Sequence, residues 1–99
     1  MIRHVVVLTL TETTPRDHAE RIVAELRGLP GSIPELVDYR VGVDLGLAEG
    51  NATIAVTADF ADADGWATYR DHPDHVRIIT ELIAPVLAQR CAAQFELDG

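Results

Sequence analysis

Residues 3–10, Arg-His-Val-Val-Val-Leu-Thr-Leu, decide the fold. The run is rich in β-branched residues and apolar nearly throughout, which predicts a central strand buried on both faces. Side chains alternate along a strand, so His4, Val6, Leu8 and Leu10 share one face while Val5, Val7 and Thr9 share the other. If helices cover the first face, something else has to cover the second.

Thr14-Pro15-Arg16-Asp17 reads as a helix start, with a hydroxyl at the N-cap, proline in the first turn and an acid where it favours the helix dipole. Ala19, Ile22, Val23 and Leu26 then recur at helical spacing, and the stripe ends near Gly28 and Pro30. After a turn over 30–34, residues 36–45 alternate, Tyr39, Val41 and Val43 against Asp38, Arg40 and Asp44, the pattern of an edge strand. A loop over 46–51 leads to a third strand, 52–60, and the two strands form a hairpin. Asp62 is placed to cap a short helix carrying Trp66 and Tyr69, which His72-Pro73 interrupts because a residue before proline is pushed out of the α region. His75, Ile78, Ile79, Leu82, Ile83 and Val86 continue at helical spacing, with Pro85 ending the regular helix and a last strand over 90–97. Strand, helix, strand, strand, helix, strand is the split βαβ order of a ferredoxin-like α+β domain, a four-stranded antiparallel sheet with helices on one face. The expectation is one such domain over 1–99. Val5 and Val7 on its bare face predict that two copies pack sheet against sheet into a dimeric α/β barrel.

Composition narrows the function classes. With 47% hydrophobic and 24% charged residues the chain is ordinary globular material, which excludes a disordered tail, a collagen-like repeat and a coiled coil. Sixteen acidic residues against eight arginines, with no lysine, give a net charge of −8 that disfavours nucleic acid and anionic lipid as partners. The single Cys91 cannot form an intramolecular disulfide, and no leader or apolar run of about 18 residues is evident, so the expectation is a cytoplasmic protein without a membrane span.

Tyr69-Arg70-Asp71-His72-Pro73-Asp74-His75 carries the candidate chemistry, a phenol and two imidazoles at a helix break. His4 can approach them from the sheet. One reading is acid–base catalysis, in which a neutral histidine takes a proton from a carbon next to a carbonyl while tyrosine hydrogen-bonds the developing oxyanion. Tyr69 and His75 are then the candidate catalytic pair, and His4, Leu8, Trp66, His72 and Ile79 the candidate substrate-binding residues. The structural reading makes the same residues caps and buried hydrogen bonds, with Pro73 at a first helical position and Trp66 a core anchor. In the metal reading, His4, His72, His75 and Glu96 are ligands, although their spacing does not match a zinc helix. Glu96 is otherwise a solvated charge or an orienter of a histidine, and Cys91 an inert apolar residue.

His4-Val-Val-Val-Leu8, Leu29-Pro30, Ile33-Pro34, Tyr39-Arg-Val-Gly42-Val-Asp44, Phe60, Tyr69-x-x-His72-Pro73-x-His75 and Phe95-Glu96 together resemble the stress-responsive dimeric A/B-barrel (Dabb) family over nearly the whole chain. The resemblance implies a ferredoxin-like homodimer whose two sheets close into a barrel, in a family of small, mostly cytoplasmic proteins of which a minority are enzymes. Its best-understood relative, the plant cyclase that forms olivetolic acid, performs a cofactor-free aldol condensation with a tyrosine and the last histidine of the motif, positions matched here by Tyr69 and His75, with His4 matching the first-strand histidine. The first-helix stripe of Ala19, Ile22, Val23 and Leu26 lacks the large aromatics of that cyclase's acyl tunnel, which implies a differently shaped cavity. The expected function is small-molecule binding, with cofactor-independent lyase or cyclase chemistry on a carbonyl, polyketide-like compound and no cofactor or metal. The alternatives are a non-catalytic stress-response or interaction protein and a haem-binding or monooxygenase-like barrel.

Overall fold

The computed structural model describes residues 1–98. Strands β1 (Ile2–Leu10), β2 (Asp38–Val43), β3 (Ile54–Phe60) and β4 (Leu87–Glu96) form one antiparallel sheet in the order β2-β3-β1-β4. Helices α1 (Arg16–Arg27), α2 (Ala63–Asp71) and α3 (Pro73–Ile78) lie on one face of it. This is the ferredoxin-like arrangement.

The alternation of β1 sets both faces. His4, Val6, Leu8 and Leu10 are buried under the helices, whereas Val5, Val7 and Thr9 are only half-buried, so in the single chain β1 is closed on one side alone. Ala19, Ile22, Val23 and Leu26 of α1 meet the buried face, and Phe60, Ile22, Leu29, Ile33, Ile54 and Ile78 are the largest fully enclosed side chains. Val5 and Val7 sit in register with Thr57 and Ala55 of β3 and with Ala93 and Cys91 of β4 on the uncovered face. At one end of that face Arg3 forks onto Asp59 with contacts of 2.8 and 2.9 Å. Phe95, opposite Arg3, is 51% exposed.

Three local expectations change. Thr14 does not cap α1, because its hydroxyl is engaged 2.7 Å from that of Thr11, and the helix starts after an extended Pro15. The last helix does not run straight to Pro85. It gives way at Ile79–Ile83 to a π-helical turn, in which the Ala84 amide bonds the Ile79 carbonyl, followed by a 3-10 turn over Ala84–Val86. Pro85 offers no amide to the regular ladder, which accounts for the departure just ahead of it. Finally, β4 begins at Leu87 rather than at residue 90 and is exposed from Ala88 to Glu96, an edge strand with little cover of its own. No helix among the described residues is long and apolar enough to cross a membrane.

Ile22 is fully buried beneath the sheet, so Ile22→Ala should remove about 2–5 kcal/mol of stability, the usual range for emptying such a site. Urea denaturation monitored by circular dichroism reads this directly, and an unchanged midpoint would contradict the packing.

Candidate functional site

A cavity of about 90 Å³ opens between β1 and the chain running from α2 through α3 into the π turn. His4, Tyr69, His75 and Arg90 supply its polar wall, and Leu8, Leu26, Val56, Ile79, Ile83 and Leu87 are among its apolar lining.

The helix break builds the polar wall. His72 has extended backbone (φ −62°, ψ 133°) ahead of Pro73, which ends α2 and starts α3, and its Nδ1 accepts from the Asp74 amide at 3.1 Å. That bond is the cap of α3, so His72 does not line the cavity. His75, in the first turn of α3, sits with Nδ1 3.2 Å from the Arg70 carbonyl. A carbonyl only accepts, so Nδ1 carries the proton and the lone pair of the neutral ring is on Nε2. Burial lowers the His75 pKa against the raising effect of the backbone hydrogen bonds, and the charge of Arg90 lowers it further.

His4 is held the opposite way. The side-chain amide of Gln94 donates to its Nδ1 at 2.7 Å, which leaves the ring proton on Nε2. Burial again lowers the pKa, helped by Arg90 and His75. Two neutral imidazoles of opposite tautomer therefore border one cavity.

Tyr69 lies against them, its ring centroid 4.1 Å from that of His75 and 6.3 Å from that of His4. Its hydroxyl is 3.0 Å from the hydroxyl of Tyr39, which reaches across from the helix-facing side of β2. Burial raises the pKa of both phenols, most strongly that of Tyr39, and both stay protonated at neutral pH.

Of the residues anticipated at the site, His4, Leu8, Tyr69, His75 and Ile79 meet at the cavity. Trp66 does not. It borders a separate shallow hollow with Ile2, Ala63 and Gln94, and the Arg70 guanidinium lies 4.8 Å above its ring. Glu96 is not a histidine orienter either, because it pairs with the terminal ammonium of Met1 at 3.1 Å, and Gln94 does the orienting. The fourth histidine, His18, is bonded to the Leu82 carbonyl at 2.9 Å and ties α1 to the π turn. His4, His72, His75 and Glu96 do not converge, and among the described residues no group of three or more metal-ligating side chains is placed to hold an ion.

Tyr39 and Arg90 join the site unannounced. The alternation of β2 signals that Tyr39 faces the helices, but only the packing of α2 onto the sheet brings its hydroxyl to Tyr69. Arg90 gave no comparable signal, since its place depends on the β1/β4 register that sets it opposite Leu8.

The family model for the stress responsive A/B barrel domain matches residues 2–97. No curated protein matches the sequence. Among solved structures, a dimeric ferredoxin-like protein of unknown function from Thermobifida fusca is 46% identical, with 97% of this chain and 90% of that one covered and a TM-score of 0.88. A dimeric protein of unknown function from Bacteroides fragilis has 22% identity, coverage of 97% and 95%, and a TM-score of 0.85. The hydroxynitrile lyase of Passiflora edulis has 18% identity, coverage of 98% and 93%, and a TM-score of 0.82. At these two lower identities the likeness is one of fold alone.

Two measurements check this description. His72→Ala should cost about 1 kcal/mol, the usual worth of a helix cap, while His72→Asn keeps an acceptor and most of the stability. The second concerns acid. His4 and His75 are held below the ordinary value of 6.5, so on acidification the unfolded chain takes up protons first and the fold loses stability from that pH down to the lowered values. Urea midpoints should fall as pH drops below about 6.5, before carboxylates titrate, and a midpoint that stays level down to about pH 5 would refute the neutral pair.

Proposed function

The chain belongs to the stress responsive A/B barrel domain family, and we propose that its cavity binds a short carbonyl compound and moves a proton on it without a cofactor, as a lyase or cyclase does. The observation that carries this reading is the pair of imidazoles with opposite tautomers on one cavity, half-buried His75 with its lone pair and buried His4 with its N–H on Nε2, beside the Tyr69 hydroxyl.

His75 Nε2 takes a proton from the carbon next to the carbonyl, the electron pair of that C–H bond forms a carbon–carbon double bond, and the carbonyl π pair moves onto the oxygen. The oxyanion is stabilised by the Tyr69 hydroxyl and the His4 N–H. Tyr39 acts behind Tyr69: by donating to the Tyr69 oxygen it leaves the Tyr69 proton for the substrate. The enolate is then reprotonated by the His75 imidazolium or attacks a second carbonyl. Apolar walls make each of these interactions stronger than it is in water. The cavity, at about 90 Å³ against the roughly 300 Å³ where drug-sized sites begin, favours a short compound over a long polyketide. A fold that also serves the Passiflora edulis lyase accommodates such chemistry.

The bare sheet face is covered, on this reading, by a second copy of the chain. The Thermobifida fusca and Bacteroides fragilis relatives are dimeric, and Val5, Val7, Ala93 and Phe95 offer the apolar surface. Cys91 lies on the same face, opposite Val7. The competing, non-catalytic reading draws on the backbone bonds of His72 and His75, which also tie the helix break together.

Incubation with short ketones and oxo acids in deuterated water, followed by NMR, decides between them. Deuterium should enter the carbon next to the carbonyl, His75→Ala should slow it by about 10²–10⁴-fold, and Tyr69→Phe should slow it with the fold intact. His75→Gln serves if the alanine variant does not fold, and wild-type exchange no faster than buffer rejects the proposal. Sedimentation should give about twice the 10.8 kDa chain mass, whereas Val7→Asp, which puts an unpaired charge into the contact, should yield monomer or aggregate.

A further inference from the structure

We infer that Arg90 makes this cavity a site for short oxo-carboxylates, its guanidinium holding the carboxylate while the oxo group faces His75 and Tyr69, a narrowing that rests on the acid–base reading above. Arg90 stands on the helix-facing side of β4 opposite Leu8 and is the one charged side chain on the cavity wall among the described residues.

Its lack of a partner carries the argument. Acidic residues outnumber arginines sixteen to eight in this chain, and the other arginines show the result. Arg3 pairs with Asp59, Arg16 with Glu20, Arg40 with Asp38, Arg70 with Asp71 and Arg77 with Glu25 and Glu81, while Arg27 donates to the Val41 carbonyl. Arg90 has neither a carboxylate nor a hydrogen-bond acceptor among the described residues. Arg21 shares that lack and, like Arg90, is exposed, but it stands on α1 away from the cavity, whereas Arg90 forms part of the cavity wall. A cation left unpaired in an acidic chain, at the rim of an otherwise apolar hollow, is a position where the missing anion comes from outside.

The chemistry selects the class of anion. A guanidinium offers a planar fork that matches a carboxylate, and one such fork without further donors suits a single negative charge rather than a phosphate dianion. Leu8, Val56, Ile79 and Ile83 suit a short alkyl body between the two polar ends. The charge of Arg90 also acts on His4, Tyr69 and His75, so the cation and the proton-transfer groups share one local field.

The test uses 4-oxopentanoate against its neutral isostere 4-oxopentanamide, in the exchange assay and in NMR binding titrations. Wild-type protein should prefer the acid by about 10–100-fold, the worth of a hydrogen bond to a charged group. Arg90→Gln should bring the acid and amide level, and Arg90→Lys should restore part of the preference. Equal affinity of wild type for the two compounds, or a preference that survives Arg90→Gln, overturns the inference. Acid-selective, Arg90-dependent binding without deuterium exchange sustains the carboxylate site and rejects proton transfer; exchange that ignores the charge does the reverse. Absence of both binding and exchange rejects the two together.

Discussion

A single layer of helices can hide only one face of a sheet, and β1 lies where that constraint is sharpest. Its neighbours on both sides are strands, so its side chains have only two destinations, and the one-residue alternation sends His4, Val6 and Leu8 to the cavity and Arg3, Val5 and Val7 to the bare face. The site and the uncovered surface are two sides of the same nine residues. A slip of one position would exchange them. The Arg3–Asp59 fork, made between directly opposed residues of β1 and β3, is a lock on that register, with Asp59 held well below the usual carboxylate range chiefly by its hydrogen bonds to Arg3.

How far the sequence could be read depends on the range of the interaction involved. The alternation of β1 and the stripe of α1 are local patterns written in consecutive residues, and both elements are found where the patterns put them. His72-Pro73 was legible for the same reason, since the proline ring acts on its immediate neighbour. The π turn at Ile79–Ile83 was not, because a periodicity of apolar residues survives the insertion of one residue into a helical turn: Leu82 and Ile83 are buried in either case. Trp66, expected either as a core anchor or as a ligand contact, stands one helical turn from Tyr69 on α2, but it borders the hollow beside Ile2 and Gln94, where the sheet edge rather than the helix sets its neighbours. Tyr39 and Arg90 lay further out of reach. Each enters the site from another strand, and cross-strand register is a long-range quantity that a single sequence states only weakly.

The helix break does more than interrupt. By ending α2 at Asp71 it leaves the Arg70 carbonyl without its place in a continuing ladder, and that carbonyl fixes which nitrogen of His75 holds the proton. On the opposite wall a side chain from an edge strand, Gln94, fixes the other tautomer in His4. The two assignments come from unrelated parts of the fold, one from backbone geometry and one from a glutamine, and burial keeps both rings neutral so that the assignments persist.

The two rims of the sheet are guarded unequally. β2 is six residues long, with Asp38 and Arg40 paired on its outward face, whereas β4 runs for ten residues with neither proline nor lysine and with Arg90 and Glu96 as its charged positions. An unprotected rim of this length is a template on which another backbone can add a strand, and charged side chains are what ordinarily deter such growth. Arg90 thus stands in the way of strand addition as well as at the mouth of the cavity. Replacing Arg90 by an uncharged residue would strip the rim of one of its two charged deterrents, so the shape of the cavity wall and the guarding of the sheet edge are coupled through one side chain.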